Sequence, residues 1–298
     1  MALHSAAAKL PVVDLFDENC KPGTASWVSK CNDVRVALEE YGCFLTPYHQ
    51  VPSQLQDQVF NSLQQLFDLP LETKLQNTSH KPYFGYFKHP SIPLSESMGI
   101  DDPTSLDGTQ SFTHLMWPNG NQNSGTQNVH SYAKLVSQLD RMVKKMVFES
   151  YGVEKYYESH IDSTRETIDN CGFPHTDKSF LTIVHDNQVA GLETKTKDGN
   201  WICVQPSGSM FIVMAGDAFL AWSNGRVHSA THRVVKEENK ERYCLALFSF
   251  SSETIEAPAE LIDEAHPLMF RPFQNMDLLR LYSLDDLHRY DQMFNGQA

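Results

Sequence analysis

The stretch "CGFPHTDKSFLTIVH", residues 171–185, places a histidine and an aspartate two positions apart at the mouth of an apolar run. Alternate residues of an extended chain project to the same side, so His175 and Asp177 can both face one interior point. The spacing alone is weak evidence for a metal site, because a chain with 13 histidines carries roughly one such pair by accident. This chain has two, the other being His160-Ile-Asp162.

From residue 173 onward the sequence breaks into short β-rich runs. "SFLTIVHD", "GLETKT", "WICVQP", "MFIVMAG", "FLAWSNG", "HSATHRVV" and "RYCLALFSF" are separated by turn residues such as "KDGN" and "SNGR". Many short strands at this spacing predict an antiparallel sandwich or barrel, such as a jelly roll. The first half reads as helical. Apolar residues recur at helical spacing over 27–42, which ends at Gly42, over 52–70, with Ser53 as a cap, and over 128–152. Residues 76–125 are rich in Pro, Gly, Ser and Asn and read as loops carrying aromatic residues. The expected fold is mainly β with flanking α. A helical and loop region, 1–125, precedes a long helix and β core, 126–298, in one compact unit.

At 298 residues and 41% hydrophobic, the chain can bury a full core. Its formal charge of −13 argues against a nucleic-acid partner and against an anionic membrane surface. The six cysteines, Cys20, Cys31, Cys43, Cys171, Cys203 and Cys244, form no CxxC pair, which fits reduced thiols in a cytoplasmic protein. The first residues lack the charged and apolar regions of a secretory signal, and no run reaches the roughly 18 apolar residues of a spanning helix. The expectation is a cytoplasmic monomer acting on a small molecule.

Three further residues give His175 and Asp177 weight. His232 follows Asp177 with 54 residues between, His228 lies four positions before it, and Arg242 stands ten positions after His232. Two histidines and one carboxylate on one face of a metal leave positions open for oxygen and a chelating co-substrate on Fe(II). An arginine inside an apolar barrel supplies the bidentate partner that a dicarboxylate needs. A zinc or manganese binder with the same donors would leave Arg242 without a task.

At these residues the chain resembles the plant iron(II)/2-oxoglutarate-dependent dioxygenases, whose pattern is HxD, a second His some fifty residues on, and R-x-S ten residues later. "LPVVDLF", "YGCFLTPYHQVP", "GLETKTKDGNWICVQP" and "GDAFLAWSNGRVHSATHRVV" carry the likeness over nearly the whole chain. "KPYFGYF", "WPNG" and "DEAHPLMFRPF" are similar to the AOP-like branch of specialised metabolism, whose best-known members act on glucosinolate side chains. The resemblance implies a jelly-roll (double-stranded β-helix) core. It further implies iron on His175, Asp177 and His232, and 2-oxoglutarate and dioxygen as co-substrates, with ascorbate as an accessory reductant. The family's ligand is the histidine directly before Arg-Val, which selects His232 over His228. His160-Ile-Asp162 then falls outside the site.

Two departures stand out. The family's R-x-S reads Arg242-Tyr243-Cys244, and a thiol donates more weakly than a hydroxyl to the co-substrate's far carboxylate. The family also places a strand with an arginine and a tyrosine before HxD. Here "ESHIDSTRETIDNCGFPHTD" shows no such strand, roughly ten residues are missing against the length of ordinary strands, and Arg165 is its remnant. The expected reaction is hydroxylation, desaturation or dealkylation of a plant secondary metabolite. Tyr83, Phe84, Trp222 and Phe248 would wall the substrate, with core packing as the alternative for each. The alternative for the whole protein is a catalytically impaired homologue that lacks the strand and acts as a binding protein.

Overall fold

Three apolar runs sit side by side in the middle of one sheet. Leu181–Asp186, Met210–Ala215 and Cys244–Ser251 are buried along nearly their whole lengths, as strands covered on both faces must be. The structure, a computed structural model, describes residues 9–82, 84–88, 95–120, 125–169, 174–205, 207–235 and 240–283. Within these residues the large sheet has six antiparallel strands. Their order is Cys43–Pro47, Met210–Ala215, Leu181–Asp186, Cys244–Ser251, Thr164–Asp169 and Ile100–Asp101. A second, three-stranded antiparallel sheet holds His232–Val234, Leu192–Lys195 and Trp201–Cys203.

One face of the large sheet packs under the helix Gly125–Ser150, whose Leu139, Val143 and Phe148 join Phe180, Phe219 and Ile183 in the main core. The helix Ala25–Glu40 packs on Gly125–Ser150 in turn. Thr24 caps its start by accepting the Trp27 N–H at 3.2 Å. Gly42 lies just beyond its end at φ +70°, and a Cβ there would stand 2.4 Å from the His228 carbonyl oxygen. Only glycine allows the chain to turn so close to the segment that leads to His232. The opposite face of the sheet meets the three-stranded sheet. Val184, Ile212 and Ala246 pack there with Leu192, Ile202 and Cys244.

Four expectations are corrected. Ser53 is the first residue of the helix Ser53–Phe67 and caps nothing; Pro52 stands at the cap without a side-chain bond. The loop region contains the helix Leu106–Met116, capped by Ser105, whose Oγ accepts the Gly108 N–H. "DAFLAW" forms the helix Asp217–Trp222 and not a strand; a short apolar run carries no period to tell the two apart.

The fourth correction matters most. The segment before HxD does carry a strand: Thr164–Asp169 pairs along its full length with Cys244–Ser251 and holds Ile100–Asp101 at its other edge. Arg165 is exposed, Glu166, Thr167 and Ile168 are buried in succession, and no tyrosine is present. Arg165 bonds to the carbonyls of Asp162 and Thr164 at the surface, so it plays no part in the interior. Polar residues hid this strand from a search for apolar runs.

Glu166 faces a buried ion pair. Asp140 and Lys144, one helical turn apart, approach to 2.8 Å with side chains almost wholly inaccessible, and Ser249 Oγ donates to Asp140 at 2.8 Å. Burial first, then the Asp140 carboxylate, pushes Glu166 up from 4.5 to about 7, against the pull of Ser137, Lys144 and Thr104. Between those two values the folded chain keeps a proton that the unfolded chain releases. Stability from this group is therefore full below pH 4.5 and is lost as pH rises to 7. Glu166→Gln is expected to be more stable than the parent at pH 8, by about 1–3 kcal/mol, and close to it at pH 4. Urea unfolding at the two pH values checks this.

Candidate metal centre

His175 and His232 are brought together by the main chain. Each donates its N–H to the other's carbonyl, at 3.0 and 2.9 Å, as an isolated antiparallel bridge between the His175 segment and the small sheet. Their rings lie 4.2 Å apart, centroid to centroid. Asp177, two residues on from His175, turns its Oδ1 to both imidazoles: 3.4 Å to His175 Nε2 and 3.8 Å to His232 Nε2. The three donors lie within 4.8 Å of one another, and no other such cluster of three occurs among the described residues.

Two of the donors are aimed by neighbours. Thr182 Oγ1 donates to Asp177 Oδ2 at 2.7 Å and shares a second bond with Ser179 Oγ at 2.8 Å, so the free Oδ1 faces inward. His232 Nδ1 lies 3.1 Å from the Ala230 carbonyl, which only accepts, so Nδ1 carries the proton and Nε2 keeps its lone pair. Burial pulls His232 down to about 4, against the Asp177 carboxylate that raises it. Burial would raise Asp177, but His232, His175 and Thr182 outweigh it and hold the carboxyl well below its usual range. A neutral imidazole and an ionised carboxylate are the forms that bind a cation. Donors about 2.1 Å from one cation on adjacent corners stand about 3 Å apart, close to the separations seen. Two nitrogens and one oxygen on one side suit non-haem Fe(II).

Asp217 ties the ligand segments to each other. Its Oδ2 accepts from Lys178 Nζ and from Thr176 Oγ1 at 3.0 Å, and its Oδ1 accepts from Ser229 Oγ at 2.6 Å. Its own N–H donates to the Asp177 carbonyl at 2.8 Å. Lys178 and Asp217 are both buried. From the other side, Asn275 Nδ2 donates to the Lys178 carbonyl at 2.6 Å, and the Tyr282 ring lies 4.4 Å from Lys178 Nζ. The helix Asn275–Ser283 thus seats beside the HxD segment. Sequence reading missed Asp217, Thr182 and Asn275, since nothing in their spacing marks them; only the "GD" after an apolar run was there to notice.

The remaining expected residues divide. Arg242 lies two residues before the Cys244–Ser251 strand, and Cys244 is buried in the space between the sheets, in the cluster that holds Val234 and Phe248. Val234 is two residues past His232 on the same strand face. Phe248 belongs as well to a second cluster with Phe84, Phe250, Met276 and Leu279, so Phe84 and Phe248 come together. Trp222 does not join them. It stacks on Phe148 at 4.2 Å in the main core, under the long helix, and so is a packing residue and no wall. Tyr83 lies outside the described residues. His228 is half-buried, with its N–H on the Leu38 carbonyl. His160 sits in the helix Tyr157–Ser163 against Phe148 and Phe180.

An antiparallel β scaffold presenting two imidazoles and a carboxylate in a buried cluster has the donor set to hold a single non-haem metal ion. Comparison with known proteins agrees. Residues 148–251 match the 2OG-Fe(II) oxygenase superfamily, and residues 10–128 match the non-haem dioxygenase in morphine synthesis N-terminal family. The probable 2-oxoglutarate-dependent dioxygenase AOP1.2 of Arabidopsis thaliana is 38% identical over 94% of this chain and 93% of its own length. A probable inactive 2-oxoglutarate-dependent dioxygenase, AOP2 of Arabidopsis thaliana, is 32% identical over 94% and 95%. Among solved structures, the dioxygenase for auxin oxidation 1 of Arabidopsis thaliana with 2-oxoglutarate superposes with a TM-score of 0.77 at 26% identity, covering 87% of this chain and 100% of that one. The rice dioxygenase for auxin oxidation gives 0.77 at 27%, covering 97% of each.

The chain therefore belongs to the 2-oxoglutarate- and Fe(II)-dependent oxygenases. It is a 2-oxoglutarate-dependent dioxygenase of the AOP-like plant type, as its motifs implied. No helix of the described residues is long and apolar enough to cross a membrane.

Asp217→Asn should leave the buried Lys178 ammonium without its charge partner. The expected outcome is a loss of about 3 kcal/mol of stability and iron binding weaker by about ten- to a hundredfold. Urea unfolding and iron retention against a weak chelator measure the two effects.

Proposed function

We propose that the chain oxidises a small plant secondary metabolite with iron held by His175, Asp177 and His232. The far carboxylate of 2-oxoglutarate is paired with Arg242. The observation that carries this reading is the convergence of three donor atoms, with the other polar atom of Asp177 and of His232 already bonded elsewhere. Support comes also from the relatives, most of which carry the dioxygenase name without the word inactive. The two facing sheets are read as the two halves of a jelly roll.

Iron and 2-oxoglutarate, when bound, supply the oxidising power and leave succinate and carbon dioxide as co-products. The protein's own part is positioning. Thr182 and the Ala230 carbonyl hold Asp177 and His232 in their ligating forms. Arg242 offers a guanidinium in a largely buried place, where a carboxylate gains most from it. Phe84 and Phe248 present an aromatic surface that suits an apolar substrate body and keeps water out. The outcome is hydroxylation, desaturation or dealkylation. The impaired-homologue reading drew on a missing strand; Thr164–Asp169 supplies a strand at that place, without the family's tyrosine.

Purified without oxygen, the protein is expected to take up a single ferrous ion and, on aeration, to turn 2-oxoglutarate slowly to succinate even without a prime substrate. His175→Ala and His232→Ala should each weaken iron binding by more than about a hundredfold, beyond what changes behind the ligands cost, and abolish succinate formation. Full metal content in either variant would sink the assignment.

A further inference from the structure

Arg242 already faces a carboxylate of its own chain. Its Nη2 lies 3.5 Å from Asp186 Oδ2, and both side chains are nine-tenths buried. The pair is pinned by the sheet. Cys244 stands opposite Asp186 in the ladder, and one step on Asn187 N–H donates to the Tyr243 carbonyl while Tyr243 N–H donates to Asn187 Oδ1, both at 3.0 Å. Gly191 makes room for the arginine: a Cβ there would stand 3.2 Å from Arg242 Cδ and 2.6 Å from the Val235 carbonyl oxygen. Asp186 Oδ1 accepts the Gln188 N–H at 3.1 Å, which fixes its plane. Arg242 Nε, in contrast, is buried and has no hydrogen-bond partner. One edge of the guanidinium is engaged, at long range, and another is vacant.

We propose that Asp186 is an internal carboxylate set against the co-substrate. It neutralises Arg242 at Nη2, while the far carboxylate of 2-oxoglutarate enters at the Nε edge. The inference rests on the reading of Arg242 as the anchor. Asp186 thereby lowers the affinity for 2-oxoglutarate and sets the concentration at which the enzyme fills.

Two effects oppose each other here. Asp186 holds the guanidinium in place, which favours the co-substrate, and it places a second negative charge beside the incoming one, which disfavours it. The orienting bond is a single one at the limit of hydrogen-bond length. The guanidinium's stem is held independently, between Gly191 and the sheet. Repulsion between two carboxylates sharing one buried cation acts over a longer range in a poorly screened place, and so it prevails. An asparagine at 186 would keep one oxygen acceptor, for the Gln188 N–H, and would remove the charge together with the single long bond to Nη2.

Anaerobic titration of the Fe(II)-loaded protein with 2-oxoglutarate tests this, read by the charge-transfer absorption of a 2-oxo acid on ferrous iron. Calorimetry on the Zn(II)-loaded protein gives a second reading. Asp186→Asn is expected to bind 2-oxoglutarate about tenfold more tightly, a change of about 1.4 kcal/mol. Binding of 2-oxobutanoate, which has no far carboxylate, should be unchanged. Arg242→Gln should weaken 2-oxoglutarate binding, and adding Asp186→Asn to it should yield no gain of that size, as a double-mutant cycle requires for a coupled pair.

If Asp186→Asn binds 2-oxoglutarate no better than the parent while Arg242→Gln still weakens it, Asp186 is a mere support. The inference then falls and the anchor stands. If Arg242→Gln binds like the parent, the anchor itself falls. Asp186→Gln repeats the test should the asparagine variant melt early, and loss of the fold in both would make the pair a structural bond and overturn the inference.

Discussion

A single buried carboxylate holds the two halves of the metal site to each other. Asp217 receives Lys178 and Thr176 from the HxD segment and Ser229 from the approach to His232, and its backbone reaches the Asp177 carbonyl. An ion pair so deep gains little over apolar packing, yet is costly to break on one side only. Its value here is geometric. Three side-chain donors converge on two oxygens that cannot move independently, so the HxD segment and the approach to His232 are brought into one fixed relation. Asn275 and Tyr282 close on the same lysine from the far side. The order of packing thus runs outward from Asp217 to the C-terminal helix.

How much of this could be read from the residues varies with the kind of signal. Leu181–Asp186, Met210–Ala215 and Cys244–Ser251 were plain, because strands buried on both faces are apolar throughout. His175, Asp177 and His232 were singled out through their matching places, and the structure brings the two histidines together by a pair of main-chain bonds that no spacing rule contains. Thr164–Asp169 was invisible. Of its buried residues only Ile168 is apolar; Glu166 and Thr167 are polar, and Glu166 is buried against Ser137, Thr104, Asp140 and Lys144 from other elements, so the segment reads like a solvated loop.

The aromatic residues show the same limit. Trp222 and Phe248 were equal candidates for a substrate wall. One stacks beneath the long helix on Phe148, and the other lies between the sheets and against Phe84 and Phe250. Which side of a layer an aromatic ring faces is decided by register and by whether the run coils into a helix. "DAFLAW" does coil, beginning where Asp217 N–H and Ala218 N–H meet the carbonyls of Asp177 and Ser179. Such bonds connect residues some forty positions apart and leave no local trace.

The bridge between His175 and His232 has a consequence for how the protein handles its iron. The bonds that draw the two imidazoles together run from amide to carbonyl and do not pass through an ion. Zinc fingers, by contrast, assemble their ligands only as the metal arrives, and unfold without it. Here the ligand pocket is a product of strand pairing, so a chelator can strip the cation while the scaffold persists.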